Sequence, residues 1–461
     1  MRKHEKNLTQ GALLPQLLAF ALPLLATNVI LRSFGAADTA VLGKFASKTS
    51  VAAVGATGSV TSLLLGFFSG LTVSSNVMVS RAAGTGDRER AARTVGCSIC
   101  CGIVFGILLA VVGFFCAYPL LRLINCPEEI IDQAATYIKI YFLGMPIILL
   151  FNFAAAILRA VGDSFRPGAY LSIGGILNIG LNILFVLAFK LDVAGVALAT
   201  IIGQLIPTSL VIIALFRADG FSKLDRKHLR FYKTEFCDIL KIGLPIGVQS
   251  CIAALSSGFV SASLNSLGTD VVEAQAVGGT IDGYVYVCVN SVSSAVPAFV
   301  SQNYGAGNIK RLKKSVTYAL FLDVAVGAVI GTAVALCGAW LCGLFTSNEA
   351  AIELATMRLR LIAPSYLLAG IMEIYANALR SLNKSAVASL VVLVGNCLVS
   401  VVWILTVFRA FNTYLSICFA SPVAWIAASA ILAPVYYIAA RRIPEPAGKP
   451  EKAESSEPSL S

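Results

Sequence analysis

The chain has 461 residues, of which 57% are hydrophobic and 13% charged, with a mean hydropathy of +0.82 and a net charge of +11. So few charges could not cover the core of a water-soluble domain of this length, and the sequence reads as a polytopic membrane protein. The positive excess does not point to nucleic acid, because the basic residues sit in short clusters between apolar runs and form no basic face with interleaved aromatics.

Residues 1–10 are polar and basic (Arg2, Lys3, Lys6). The first apolar run, about Leu13 to Phe34, is too long for a signal peptide and lacks a small-residue cleavage site, so it is expected to be helix 1. Pro23 at its centre removes one backbone hydrogen bond and should bend it. Gly35–Thr39, with Asp38, is expected at its outer end. Further runs long enough to cross about 30 Å of hydrocarbon lie near 51–78, 94–117, 132–157, 165–189 and 193–216. The second half offers 238–265, 275–300, 315–342, 352–378, 385–407 and 413–438, twelve helices in all. The longest polar stretch, 217–237, reads as a linker (Arg217, Lys223, Arg226, Lys227, Arg230, Lys233). The expected organisation is therefore a six-helix lobe over 1–220, a linker over 221–237, a second six-helix lobe over 238–442, and a disordered tail over 443–461.

The division rests on an internal repeat. Val79–Arg90 returns as Val300–Arg311, with Ser80/Ser301, Gly84/Gly305, Gly86/Gly307 and Arg90/Arg311 in step at an offset of 221. Leu22-Pro23 returns as Leu244-Pro245, and Leu158-Arg159 as Leu379-Arg380, with Ser164 and Ser385 behind. Each copy of the longest match reads as a polar turn between apolar runs. Six spans per half give both halves the same orientation, hence a parallel repeat with a cavity between lobes, the build of a transporter. With both termini inside, 26 of the 35 lysines and arginines fall on the cytoplasmic side, so both ends are expected there.

No P-loop, GxSxG or HExxH is present, which argues against a nucleotide-driven pump or an enzyme. The twelve cysteines are scattered through apolar runs and the two histidines lie far from them, so neither a metal nor a disulfide is expected. A gradient-driven transporter needs an acid or strong coordinating group inside the membrane. Asp38 is one candidate, with a solvated loop residue as the plain alternative. Asn178 and Asn182 stand i, i+4 on one helix face, where they serve either a site or helix–helix bonding. Thr200 can satisfy its hydroxyl on its own backbone. Asp282, Asp323 and Glu373 lie within expected helices and either face the cavity or pair privately.

In order and spacing, several of these stretches resemble prokaryotic members of the multidrug and toxic compound extrusion (MATE) family over about residues 10–440. The carriers are Pro23 with Asp38–Gly43, Ser80–Gly84, Arg159–Ser164, Asn178–Asn182, Gly195–Thr200 and Gln302–Gly307. The resemblance implies an all-α fold of twelve helices in two V-shaped six-helix lobes. It implies export of amphipathic, often cationic, drugs or toxic metabolites in exchange for protons or sodium ions, with no cofactor beyond that coupling ion. It carries the family's N-lobe ion site onto Asp38, Asn178, Asn182 and Thr200, with one departure: the acid of helix 5 is replaced by Asn182. The helix 7 acid of another branch has no counterpart in 240–265. Glu373, Asp282 and Gln249 remain second-tier cavity candidates. A carboxylate in a low-dielectric lobe is costly as a bare charge, so Asp38 would take a proton or share a cation, and helix 1 would bend at a Pro23 hinge. The alternative within the same superfamily is a lipid or lipid-linked oligosaccharide flippase. The expected partners are small-molecule substrates and membrane lipids in a cell membrane, without nucleic acid or an obligate protein partner.

Overall fold

The computed structural model describes residues 5–45 and 48–443, with the side chains of 35–48 and 51 outside the description. The first half holds α1 (Leu13–Phe45), α2 (Lys48–Thr85), α3 (Arg88–Leu123), α4, α5 (Phe165–Ala188) and α6 (Asp192–Phe216). The second holds α7 (Lys233–Asn265), α8 (Thr269–Gly305), α9 (Ile309–Leu336), α10 (Glu349–Ser381), α11 (Ser385–Phe411) and α12 (Tyr414–Arg441). α4 is the pair Glu128–Leu143 and Met145–Ala160, bent by 48° at Gly144, where Pro146 removes a backbone donor. Among the described residues, eleven helices are long and apolar enough to cross a membrane, and the bent pair supplies the twelfth span. Outward faces are apolar: Phe115 is 77% and Leu336 80% exposed, which suits lipid and not water.

Three expectations change. Helix 1 does not stop at Phe34: its backbone stays helical through Phe45, so Asp38 lies in a helix and not in a loop, and its side chain is outside the described residues. The stretch expected as a linker ends early, because α7 starts at Lys233; the non-helical part is 217–232, with one turn at Arg226–His228. The tail from 444 lies outside the described residues. Third, the doubled stretch is mostly helix. Val79–Thr85 completes α2 and Val300–Gly305 completes α8. Only Gly86 (φ +78°) and Gly307 (φ +69°) break the helix, in a left-handed conformation that glycine adopts without a Cβ clash. The next residues, Asp87 and Asn308, cap α3 and α9 by accepting from Arg90 N (2.9 Å) and Arg311 N (3.1 Å).

The halves interlock symmetrically, α2 on α7 and α1 on α8. Gly70 of α2 faces Gly243 and Gly247 of α7, and Gly66 lies against Ser250; a Cβ on Gly70 would sit 2.5 Å from Gly247 N. This spacing of small residues lets helices approach in lipid, where packing and not the hydrophobic effect drives association. At the end of the bundle carrying the doubled motif, the two copies lie against each other. A Cβ on Gly84 would meet Gln302 O at 2.1 Å, and one on Gly305 would meet Arg81 O at 2.4 Å. Arg81 bonds Ser381 O (2.7 Å) and Asn383 Oδ1 (2.9 Å) and stacks over Tyr304 at 4.9 Å. The N-terminal segment ties both halves together here: Lys6 N donates to Val161 O (2.9 Å), Leu8 N to Gln302 Oε1 (3.1 Å), and Arg311 donates to Leu8, Gln10 and Gly11 carbonyls.

Candidate functional site

Two polar regions bear on the candidate site. The first lies in the N-terminal half, where α5 meets α6. Gly174 and Gly203 bring the two backbones together, so that a Cβ on Gly203 would lie 3.0 Å from Asn178 Cβ. Asn178 and Asn182 are buried there, and Asn182 Nδ2 donates to Asn178 Oδ1 at 3.3 Å. Thr200, one turn before Gly203 on α6, donates its hydroxyl to Val196 O at 3.0 Å. α1 docks on α5 through Gly168, whose Cβ would strike Thr27, and Gly175, whose Cβ would strike Phe34. Thr27 Oγ1 in turn donates to Pro23 O at 2.8 Å, a back-bond that loosens a helix already short of one donor. The structure thus brings Asn178 and Asn182 together; where Asp38 points lies outside the described residues.

The second region is a cavity of about 360 Å³ between the halves. α2 contributes Ser69, Thr72 and Asn76; α4 contributes Asn152 and Arg159; α7 contributes Gln249 and Ser250. α8 adds Tyr286, Asn290 and Ser294, and α10 adds Glu373, Asn377 and Arg380. Arg380 organises the α10 side. It donates to Asn377 Oδ1 (2.8 Å) and Gln249 Oε1 (3.0 Å) and pairs with Glu373 at 3.4 Å. Asn377 Nδ2 reaches Ser293 O at 3.2 Å, which ties α10 to α8.

Two of the second-tier candidates, Glu373 and Gln249, therefore line the cavity. Asp282 does not. It pairs with Arg358 at 2.6 Å, with the two side chains 4% and 12% exposed, inside the C-terminal half. The cause is position along the helix: Asp282 stands one turn before Tyr286 on the same stripe of α8, one turn beyond the cavity lining, where Arg358 of α10 meets it. Asp323 on α9 is fully buried against Gly370 of α10, and neither carboxylate oxygen has a hydrogen-bond partner among the described residues. Sequence reasoning missed Arg159 and Arg380 as cavity residues, although the repeat had marked both. Sitting in the last turn of a helix, they were placed with the topology-setting charges of the loops.

Two six-helix halves related by a repeat, locked at one end and enclosing a polar cavity, define a multi-pass membrane transporter and not an enzyme. The MatE family model matches the chain twice, over residues 23–184 and 245–406. The chain belongs to the MATE family. It is 28% identical to the probable multidrug resistance protein YoeA of Bacillus subtilis over 370 residues, 78% of this chain and 80% of that one. To the multidrug export protein MepA of Staphylococcus aureus it is 23% identical over 390 residues, 84% and 86% of the two chains. Among solved structures, a mutant of the MATE transporter VcmN of Vibrio cholerae superposes with a TM-score of 0.87 at 23% identity, covering 93% of this chain and 97% of that one. An outward-facing multidrug resistance MATE family transporter superposes at 0.89 with 18% identity, covering 96% and 99%. Those likenesses establish the fold.

Proposed function

We propose that this protein is a secondary active exporter of the cell membrane, moving amphipathic small molecules outward in exchange for protons or sodium ions. The carrying observation is the polar cavity between the halves together with the tight closure at the doubled-motif end. That end also carries most of the basic residues, which supports placing it in the cytoplasm, with both termini there. The conformation then corresponds to one closed inward, and transport requires the Gly84–Gln302 and Gly305–Arg81 crossings to open. The names of the bacterial relatives, multidrug resistance and multidrug export, support the choice of small-molecule substrates.

Coupling is assigned to Asp38 with Asn178, Asn182 and Thr200. Two amides and a hydroxyl offer neutral oxygens, so Asp38 would be the one acid of the set, taking a proton or anchoring a sodium ion. Movement of α1 at Pro23 would pass that event to α8, on which α1 rests through Asn28 Nδ2 and Ser291 Oγ at 3.1 Å. The test is efflux from proteoliposomes driven separately by proton and sodium gradients. Asp38→Asn is expected to abolish gradient-driven efflux, and Pro23→Ala to slow turnover more than it weakens binding. Undiminished efflux from Asp38→Asn overturns the coupling role; equal losses of turnover and binding in Pro23→Ala overturn the hinge.

A further inference from the structure

The repeat places an arginine at the same point of each half, Arg159 closing α4 and Arg380 closing α10, 221 residues apart. Both line the cavity between the halves. Their surroundings differ. Arg380 has Glu373 seven residues before it on the same helix and pairs with it at 3.4 Å. The position equivalent to Glu373 in the first half is Asn152, which also lines the cavity but carries no charge and donates its amide to Ile148 O of its own helix at 3.0 Å. The Arg159 guanidinium consequently makes no hydrogen bond and no ion pair among the described residues. Arginines with a framing role in this fold look different: Arg81 and Arg311 are each tied to backbone carbonyls and side chains of the opposite half.

The charged residues lining the cavity are therefore Arg159, Arg380 and Glu373, one positive charge in excess. An arginine facing the interior of a membrane bundle marks a substrate or ion path when no structural partner claims it. Its planar fork of N–H donors matches the two oxygens of a carboxylate, sulfonate or phosphate. A cation at the same place would meet two guanidinium groups and one carboxylate already engaged. The volume, about 360 Å³, is that of a small-molecule site.

We propose that Arg159 is the binding residue for an anionic group, carboxylate, sulfonate or phosphate, on an amphipathic small molecule held in the cavity between the halves. The transport of that molecule rests on the exporter reading above; its binding does not. The expected substrates are anionic or zwitterionic, against the cationic preference implied by the family resemblance.

Binding to the purified full-length protein in dodecyl maltoside separates the two questions. Fluorescein, anionic at pH 8, and rhodamine 123, a cation of related shape, are followed by fluorescence anisotropy. Fluorescein is expected to bind more tightly, and Arg159→Gln to weaken it about tenfold or more while sparing rhodamine 123. Arg159→Lys should recover part of the loss. Asn152→Glu, which supplies the acid present in the second half, should silence fluorescein binding with Arg159 still in place, and decides the matter if Arg159→Gln does not fold. Tighter rhodamine 123 binding by the wild type, or unchanged fluorescein affinity in both variants, overturns the proposal. Displacement of fluorescein by 2-naphthalenesulfonate supports a free small molecule; displacement by phosphatidylglycerol in its stead overturns that assignment in favour of a lipid headgroup. If fluorescein binds but no dye moves under either gradient, the exporter reading fails and the anion site stands.

Discussion

Where α3 crosses α4, Gly102 lies against the backbone of Leu149 and Leu150 and the ring of Phe153. At the equivalent crossing of α9 and α10, 221 residues on, the sizes are exchanged: Asp323 is the large partner and Gly370 the small one. A Cβ on Gly370 would sit 1.9 Å from Asp323 Oδ1. The frame needs one small residue at this crossing and is indifferent to which helix supplies it. What differs is chemistry. The helices of the first half hold neutral amides, Asn178 and Asn182, where those of the second hold ionic groups: Asp282 with Arg358, the half-buried Glu373 with Arg380, and Asp323. The positions equivalent to Asp282 and Arg358 in the first half are Thr61 and Tyr137. A duplicated scaffold has thus been kept while the carboxylates within its helices gather in the second half; the buried carboxylate of the first, Asp163 with Arg166, sits where α4 turns into α5.

The largest effect that bears on this contrast should come from the buried ion pair. Arg358→Met leaves the buried Asp282 carboxylate without its cation and is expected to cost about 3–5 kcal/mol of stability, because an unpaired buried charge loses more than the pair ever gained. Combining it with Asp282→Leu should return most of the loss. Thermal unfolding in detergent gives both numbers, and a single variant as stable as the wild type would show that the pair is not an isolated ionic unit.

Next comes the exchanged crossing. Gly370→Ala is expected to cost about 1–3 kcal/mol, the usual range for overpacking, since Asp323 must move from a close-packed site. The double variant Asp323→Gly with Gly370→Leu copies the arrangement of the first half and should be more stable than either single change. Additive losses would mean that the two crossings do not share a geometry.

These contrasts mark what can be read along the chain and what cannot. Twelve spans were legible because hydropathy sums over a whole membrane crossing, and the halves because polar landmarks return at one offset. Helix ends were legible only to within a few residues. α2 runs to Thr85 and α7 starts at Lys233, since a helix leaving the hydrocarbon continues through polar residues until a left-handed glycine or a cap stops it. The break at Gly144 was hidden inside one apolar run. Asn178 and Asn182 were readable as a pair because i, i+4 neighbours share a face. Asp282 and Arg358 were not, as 76 positions separate them and only the rotation of α8 and α10 brings them together. Arg159 and Arg380 were visible as a repeat, yet their direction depends on the register of the last helical turn, which no local pattern encodes.

The smallest difference between the halves sits at the caps that follow the doubled motif. Asp87 brings a carboxylate to the first turn of α3, where Glu89 adds a second acid. Asn308 brings a neutral amide to α9, whose first turns hold Lys310, Arg311, Lys313 and Lys314 and no acid. The N-terminus of a helix carries a partial positive charge, so negative groups there are favourable by about 0.3–1 kcal/mol and basic clusters are not. Asn308→Asp keeps the hydrogen bond to Arg311 N and adds the missing charge, so it should raise the unfolding temperature, by no more than about 2 °C for a chain of this size. Asp87→Asn should lower it by a similar amount, and the exchanged double variant should match the wild type. Both shifts should shrink with added salt, because the two caps are exposed to solvent. A salt-independent change in either variant would locate the difference in cap geometry and not in charge.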